Sequence, residues 1–319
     1  MKKYVLLYSN KKVEDNIIFR NMFPNNKEIN IGWTEIDYLQ NKKIIDNLIK
    51  DGVKELLFGG FEIGWDKLVE YIKNEYSINV KVICNTQDSL LYYEYERDNF
   101  FKLLELNKIG IVDCIGFFRK GQYEVYNSLG YKCFYLLENF NLDKEVKLSK
   151  IKSNKIQVGI YPLNYTWDKN IFNQLCIGKM LDNCVVNYNK LDERMNEFLD
   201  TMNIDSNPVK VDVSVNGIVD VIKNNDVIVA STFTDYVHPV FFISMEMGIP
   251  CLVGNTVDFL DDKYLIDNIV TTTEDNSIVN ANKINTILNN KDDIMKKYSS
   301  WKKKYNSISK NNIKEFIEL

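Results

Sequence analysis

The chain has 319 residues, 45% of them hydrophobic and 26% charged, with a formal net charge of −4. That length can fill two domains of ordinary size with apolar cores, and the acidic balance argues against a broad nucleic-acid-binding face. No apolar run approaches the roughly 18 residues of a membrane span, and the one in MKKYVLLYSNKK is too short for a signal peptide.

In chain order, short β-rich runs alternate with longer helical patterns. KYVLLYS, KELLFGG, VKVICNT, IGIVDCIGFF and KCFYLL read as buried strands. Between them WDKLVEYIKNEY, LLYYEYERDNFFKLLELNK and KGQYEVYNSLG read as helices, the last stopped by Gly130. Apolar strands joined by helices imply a parallel sheet covered on both faces. The polar stretch NLDKEVKLSKIKSNK then breaks the pattern. After it come IQVGIY, NCVVNY, VKVDV, DVIVA and PCLVG, with helices between, and only helix from 275 onward. The expected architecture is α/β, with two Rossmann-like domains, 1–150 and 151–319, facing across a cleft, and a helical tail.

Cys84, Cys114, Cys133, Cys176, Cys184 and Cys251 stand singly with no Cys-x-x-Cys, the pattern of reduced core thiols in a cytoplasmic protein rather than of a zinc site. Ligands of doubly wound sheets bind beyond the carboxyl ends of the strands, so the residues there are the candidates. After the second run of the first half stand Gly59 and Gly60, with Glu62 beyond; after the third stand Asn85, Thr86 and Asp88. Paired glycines permit close approach of a ligand or of neighbouring backbone, and structural punctuation is the default reading of both groups. Tyr92, Tyr93, Tyr95, Phe100 and Phe101 could form a sugar-stacking face, although aromatics at helical spacing usually belong to a core. In the second half, STFTDYVHPVFFISMEMGIP follows DVIVA and carries the chain's single histidine.

These end motifs resemble the GT-B fold glycosyltransferases of the retaining, family-4-like group. The resemblance rests on Val158–Gly159 and Lys169 in VGIYPLNYTWDKN, with Asn170 where that family prefers glycine, and on Thr232, Asp235 and Gly248–Ile249–Pro250 around the last long strand. It extends to Asp113–Gly116, Ser128–Gly130 and FYLLENFNLD in the first half. Three positions depart from it. Ile243 stands where a second glutamate would hold the nucleotide ribose, Ile160–Tyr161 replace an arginine, and Asn85–Thr86 replace a first-domain histidine.

The resemblance implies transfer of a sugar from a nucleotide-sugar donor, held by the second domain, to a glycan, protein or lipid-linked acceptor entering from the first. Lys169 and the N-terminus of the helix opening near Tyr236 and Val237 would then face the leaving diphosphate, whose developing charge calls for fixed positive charge and N–H donors. Asp235 would orient sugar hydroxyls, and His238 would stay neutral at the helix mouth. Against these, Asp235 reads also as a helix cap, His238 as a solvated first-turn residue, and Glu246 either as a replacement second acid or as a solvent-facing helical residue. Gly59, Gly60, Glu62, Asn85, Thr86 and Asp88 would line the acceptor side.

The absence of any Asp-x-Asp points to transfer without a metal or other cofactor. Lys296, Lys297, Lys302, Lys303 and Lys304 around Trp301 read as a solvated helix face or as a peripheral contact with an anionic membrane. Trp301 and Phe316 could equally dock the tail. Self-association stays open, and an inactive relative that binds nucleotide or glycan, or scaffolds an active partner, is the alternative reading.

Overall fold

The computed structural model describes residues 4–9, 19, 21–23, 27–142, 153–234 and 239–319. The chain divides into two compact units, Met1–Asn139 together with Ile308–Leu319, and Phe140–Ser307. Each unit carries a six-stranded parallel sheet.

In the first unit the strands are β1 (Tyr4–Tyr8), β2 (Lys27–Asn30), β3 (Glu55–Gly59), β4 (Asn79–Cys84), β5 (Cys114–Phe117) and β6 (Cys133–Tyr135), in the order β2-β1-β3-β4-β5-β6. Every residue of β1 and of β3 is buried, so both faces of the central sheet are covered. The covering helices include α1 (Tyr38–Lys50), α2 (Asp66–Tyr76), α3 (Glu94–Lys108) and α4 (Lys120–Ser128). Apolar residues at helical spacing turn inward; in α2 these are Leu68, Val69 and Ile72. Gly130 takes φ +84° just after α4, as a helix stop requires.

In the second unit the strands are β7 (Ile156–Ile160), β8 (Cys184–Asn189), β9 (Ser206–Val209), β10 (Val227–Ala230), β11 (Cys251–Gly254) and β12 (Val270–Thr271). They run in the order β12-β11-β10-β7-β8-β9. The helices are α5 (Ile171–Met180), α6 (Glu193–Thr201), α7 (Val215–Ile222), α8 (Pro239–Glu246), α9 (Lys263–Ile269), α10 (Ser277–Asn289) and α11 (Lys291–Glu318). This is the doubly wound order in which the winding reverses between the first and fourth strands, here β7 and β10.

Several expected elements are displaced. The run 109–118 gives a strand only over Cys114–Phe117, because Ile109–Asp113 turn the chain out of α3, with Gly110 at φ +81°. The strand expected over VKVDV lies earlier, at Ser206–Val209, and includes Pro208. Proline is tolerated there because β9 is the edge strand. Two edge strands, β2 and β12, are too polar or too short to announce themselves.

The last helix, α11, belongs to the second unit up to Ser307 and to the first from Ile308. Within the second unit Trp301 is buried, stacks on Tyr305, and donates its indole N–H to Asp261 at 2.7 Å. Lys302 is buried as well, donating to the Phe140 carbonyl at 2.5 Å and lying 4.2 Å from the centre of the Phe242 ring. Lys297 pairs with Asp262 at 2.9 Å. Trp301 and Lys302 therefore drop out of the basic surface drawn from the sequence, since packing has turned both inward.

In the first unit the end of α11 closes over a buried ion pair. Lys81 faces Glu55 and donates to the carbonyls of Phe316 and Ile317 at 2.8 and 2.7 Å. Those carbonyls are the unpaired acceptors of a helix C-terminus, where a cation is favoured. Phe316 is wholly buried against Gly116, where a Cβ would come within 3.1 Å of its ring. No helix among the described residues is long and apolar enough to cross a membrane.

Candidate functional site at the switch point of the second sheet

β7 and β10 lie side by side and parallel, and the chain leaves their carboxyl ends in opposite directions around the sheet. The loops that follow them meet. The Phe233 N–H donates to the Asp168 carbonyl at 2.9 Å, and Thr234 Oγ1 donates to Asp168 Oδ2 at 3.2 Å. Asn170 Nδ2 donates to the carbonyls of Ser231 at 3.0 Å and Glu274 at 2.8 Å, tying in the loop after β12. Glu274 Oε1 in turn accepts the Asn255 N–H at 2.8 Å, beyond β11. Four loops are thus bound into one rim at the carboxyl edge.

Asn170 makes this possible because it adopts φ +53°, a left-handed conformation that asparagine tolerates better than most residues. Glycine, the residue expected here by resemblance, also accepts that backbone conformation. Gly254 allows the Thr232 carbonyl to approach: a Cβ there would stand 2.6 Å from it.

Lys169 ends a short 3-10 turn, Trp167–Lys169, directly before Asn170. Its side chain is 14% exposed, and its ammonium lies 3.4 Å from Asp168 Oδ2. Asp168 is buried, and its Oδ1 makes no hydrogen bond; the same holds for Ser231 Oγ.

Of the residues expected on the donor side, Lys169 and Thr232 are brought to this rim. Gly159 is not on it. It lies inside β7, where a Cβ would come within 2.6 Å of Ile228 and Tyr161 and 2.9 Å of Asn225, so it makes room for packing. Tyr161, where an arginine was expected by resemblance, is buried and donates to the Val221 carbonyl at 3.2 Å, and burial raises its hydroxyl above the ordinary phenol range. Glu246 is at the far end of α8, where Tyr298 donates to it at 3.3 Å and Lys302 lies 3.8 Å away. Ile243 is wholly buried. Asp235, Tyr236, Val237 and His238 lie outside the described residues.

The acceptor-side candidates gather at the carboxyl ends of β3 and β4 in the first unit. Gly60 has φ +85°, donates to the Ile83 carbonyl at 2.9 Å, and lies beside Asn85, whose amide would be 3.3 Å from an added Cβ. Gly59 lies against the Phe19 ring, 2.7 Å from where a Cβ would be. Glu62 is buried and accepts from the Tyr95 hydroxyl and from Asn99 Nδ2 at 3.3 Å. Thr86 Oγ1 donates to Glu96 at 2.9 Å, while Gln122 Nε2 bridges the Thr86 carbonyl and Asp88 Oδ1 at 3.0 and 3.2 Å. The five aromatics of that region do not form one face: Phe100 is core, Tyr92 is 81% exposed, and Tyr95 is engaged with Glu62.

Sequence reading missed Asp168 and Asn170 as the residues that lock the rim, and missed Trp167 and Phe233 as its aromatic surface. The Trp–Asp–Lys–Asn run just before a helix was the available signal.

Two doubly wound parallel sheets, the second with a loop rim at its switch point, define a GT-B type fold. No protein-family model matches the chain, and no curated protein does. Among solved structures it is similar to sucrose-phosphate synthase from Thermosynechococcus elongatus, with 10% identity, TM-score 0.64, and 99% of this chain and 95% of that one covered. It is similar also to HepE from Anabaena in complex with UDP-glucose, with 9% identity, TM-score 0.71, and coverage of 99% and 100%. A glycosyltransferase from Rickettsia africae ESF-5 matches at 12% identity and TM-score 0.59, with coverage of 99% and 95%. At these identities the likeness is one of fold.

Proposed function

We propose that the chain is a cytoplasmic glycosyltransferase. It would move a sugar from a nucleotide-sugar donor to a glycan, protein or lipid-linked acceptor, with retention and without a metal ion. The observation that carries this reading is the bonding of Asp168 and Asn170 to Ser231, Phe233 and Thr234, which draws Lys169 to the switch point where doubly wound folds take their ligands. The complex of HepE with UDP-glucose supports the choice of donor class. The metal-independent element rests on the absence of Asp-x-Asp, and retention rests on the family resemblance alone.

In this reading Lys169 neutralises charge on the departing diphosphate, and Thr232 contributes polar groups beside it. Asp235, which follows Thr234 directly, orients the donor sugar. Tyr236, Val237 and His238 remain donor-side candidates from the sequence, and the Glu62 and Thr86 networks would receive the acceptor. The test is release of nucleoside diphosphate from uridine, guanosine, cytidine and thymidine sugar nucleotides, read beside calorimetric binding of each. Donor-dependent release supports transfer, and neither release nor binding would end the reading.

A second reading, a non-catalytic relative that binds nucleotide or glycan, is favoured by Ile243. That side chain is wholly buried and has no hydrogen-bonding atom to offer a ribose. Binding without turnover for every donor would select it.

A further inference from the structure

In the first unit, the residues after β2 and after β3 are tied into one ledge at the carboxyl edge of the sheet. The Gly32 carbonyl accepts the Trp65 indole N–H at 2.6 Å and Asn41 Nδ2 at 2.7 Å, while the Gly32 N–H donates to Asn41 Oδ1 at 3.0 Å. Gly64 lies so close to the Trp33 carbonyl that a Cβ would stand 2.6 Å from it. The short 3-10 turns Glu35–Asp37 and Ile63–Trp65 are thereby packed together.

On this braced backbone Trp33, Ile36, Leu39 and Ile63 expose 40%, 93%, 76% and 44% of their surface. Apolar side chains scattered singly over a surface are ordinary, but four gathered on one ledge mark a contact face. The ledge runs on into α1, whose outward face carries Ile36, Leu39, Lys43 and Lys50 while Ile45 and Leu48 are buried.

The charge around it is cationic where it is open. α1 holds Lys42, Lys43 and Lys50 against a single acid, Asp46, which accepts from the Tyr71 and Tyr76 hydroxyls at 2.9 and 2.8 Å. Asp37 accepts the Thr34 N–H at 3.0 Å and the Thr34 hydroxyl at 2.7 Å, and Glu35 lies 3.9 Å from the Lys67 ammonium. Lys43 and Lys50 are both exposed at the end of the apolar stripe.

Size and shape select the occupant. A stable protein partner takes about 20–30 residues a side, more than four apolar side chains supply, and Ile36 and Leu39 project rather than line a groove. A bilayer interface asks for less: a few apolar side chains at the acyl boundary, a tryptophan at headgroup level, and cations for the lipid phosphates. We infer that this ledge seats the first unit on a membrane surface bearing anionic phospholipid, with Ile36 and Leu39 inserted and Lys43 and Lys50 on the headgroups. It is a different surface from the tail lysines Lys296, Lys303 and Lys304, and it stands whether or not the chain transfers sugar.

The test floats the full chain with extruded vesicles of phosphatidylcholine alone and of an equal mixture with phosphatidylglycerol. Binding to the anionic vesicles is expected, and Ile36→Asn with Leu39→Asn should weaken it about tenfold or more. Lys43→Gln and Lys50→Gln should weaken it about fivefold for each charge removed. All four side chains are exposed, so circular dichroism should show the fold unchanged. Brominated acyl chains should quench tryptophan emission in the parent and much less in Trp33→Phe. Lys296→Gln with Lys303→Gln and Lys304→Gln should bind as the parent does. The inference is overturned by no flotation with anionic vesicles, by unchanged flotation of the Ile36 and Leu39 variant, or by a loss confined to the tail variant. A parent that is dimeric by light scattering, and monomeric once Ile36 and Leu39 are replaced, would also overturn it and give the ledge to a second copy. No nucleotide sugar enters the flotation, so failure of transfer leaves its result untouched.

Discussion

Asn170 combines two demands that are usually met separately: a left-handed backbone and a side chain that bridges two carbonyls. Alanine would lose both, whereas glycine would lose only the bridge. Asn170→Ala is therefore expected to destabilise the protein more than Asn170→Gly, by about 1 kcal/mol. Equal losses in urea unfolding would show that the backbone conformation costs nothing. Its neighbour Lys169 tests the donor reading. Lys169→Ala should weaken nucleoside diphosphate binding by roughly 1.5–3 kcal/mol, the scale of a charge-assisted hydrogen bond, and unchanged calorimetric affinity in a folded variant removes Lys169 from the site. Asp235→Asn should lower turnover more than donor affinity; a wild-type rate would reduce Asp235 to a helix cap.

At the scale of elements, much of the fold was legible because each buried strand of a doubly wound sheet is a short apolar run, as YVLLY and VIVA are. What escaped was at the edges. KEIN of β2 is half exposed and polar, and its pairing is decided by the neighbouring strand β1 rather than by its own residues. The candidate site was legible as a position, the residues after β7 and β10, and less so as a set of side chains. Gly159, which the resemblance singled out as a donor-side position, packs beneath Tyr161, Asn225 and Ile228, positions far apart in sequence. Exposure is likewise a tertiary property, so Trp167 could not be told from Trp301 by composition.

The Lys81–Glu55 pair belongs at this scale because it joins β3 and β4 to the end of α11. Lys81→Ala should cost about 3–5 kcal/mol, since it strands a buried carboxylate and two helix carbonyls. Glu55→Leu combined with Lys81→Met should cost less than the single change; an equal or greater cost in urea unfolding would mean the pair is not a compensated unit.

At the scale of the whole molecule, the division into units is discontinuous in sequence: the first unit needs residues from both ends of the chain. Removing residues 308–319 is expected to accelerate amide exchange in β3, β4 and β5, beneath Lys81 and Phe316, and to leave β7, β8 and β10 protected. Uniform loss of protection in both sheets would show that the two units do not unfold separately. Conversely, a nucleoside diphosphate bound at the second unit should protect β7 and β10 first, stabilising by about 2.7 kcal/mol at a hundredfold excess over Kd.

The shared helix also sets an order of events during synthesis. Translation proceeds from the N-terminus, yet Glu55 and Lys81 must wait for Phe316 and Ile317 before their pocket is closed. The half made first on the ribosome is thus completed last, after its partner half has had all of its own residues.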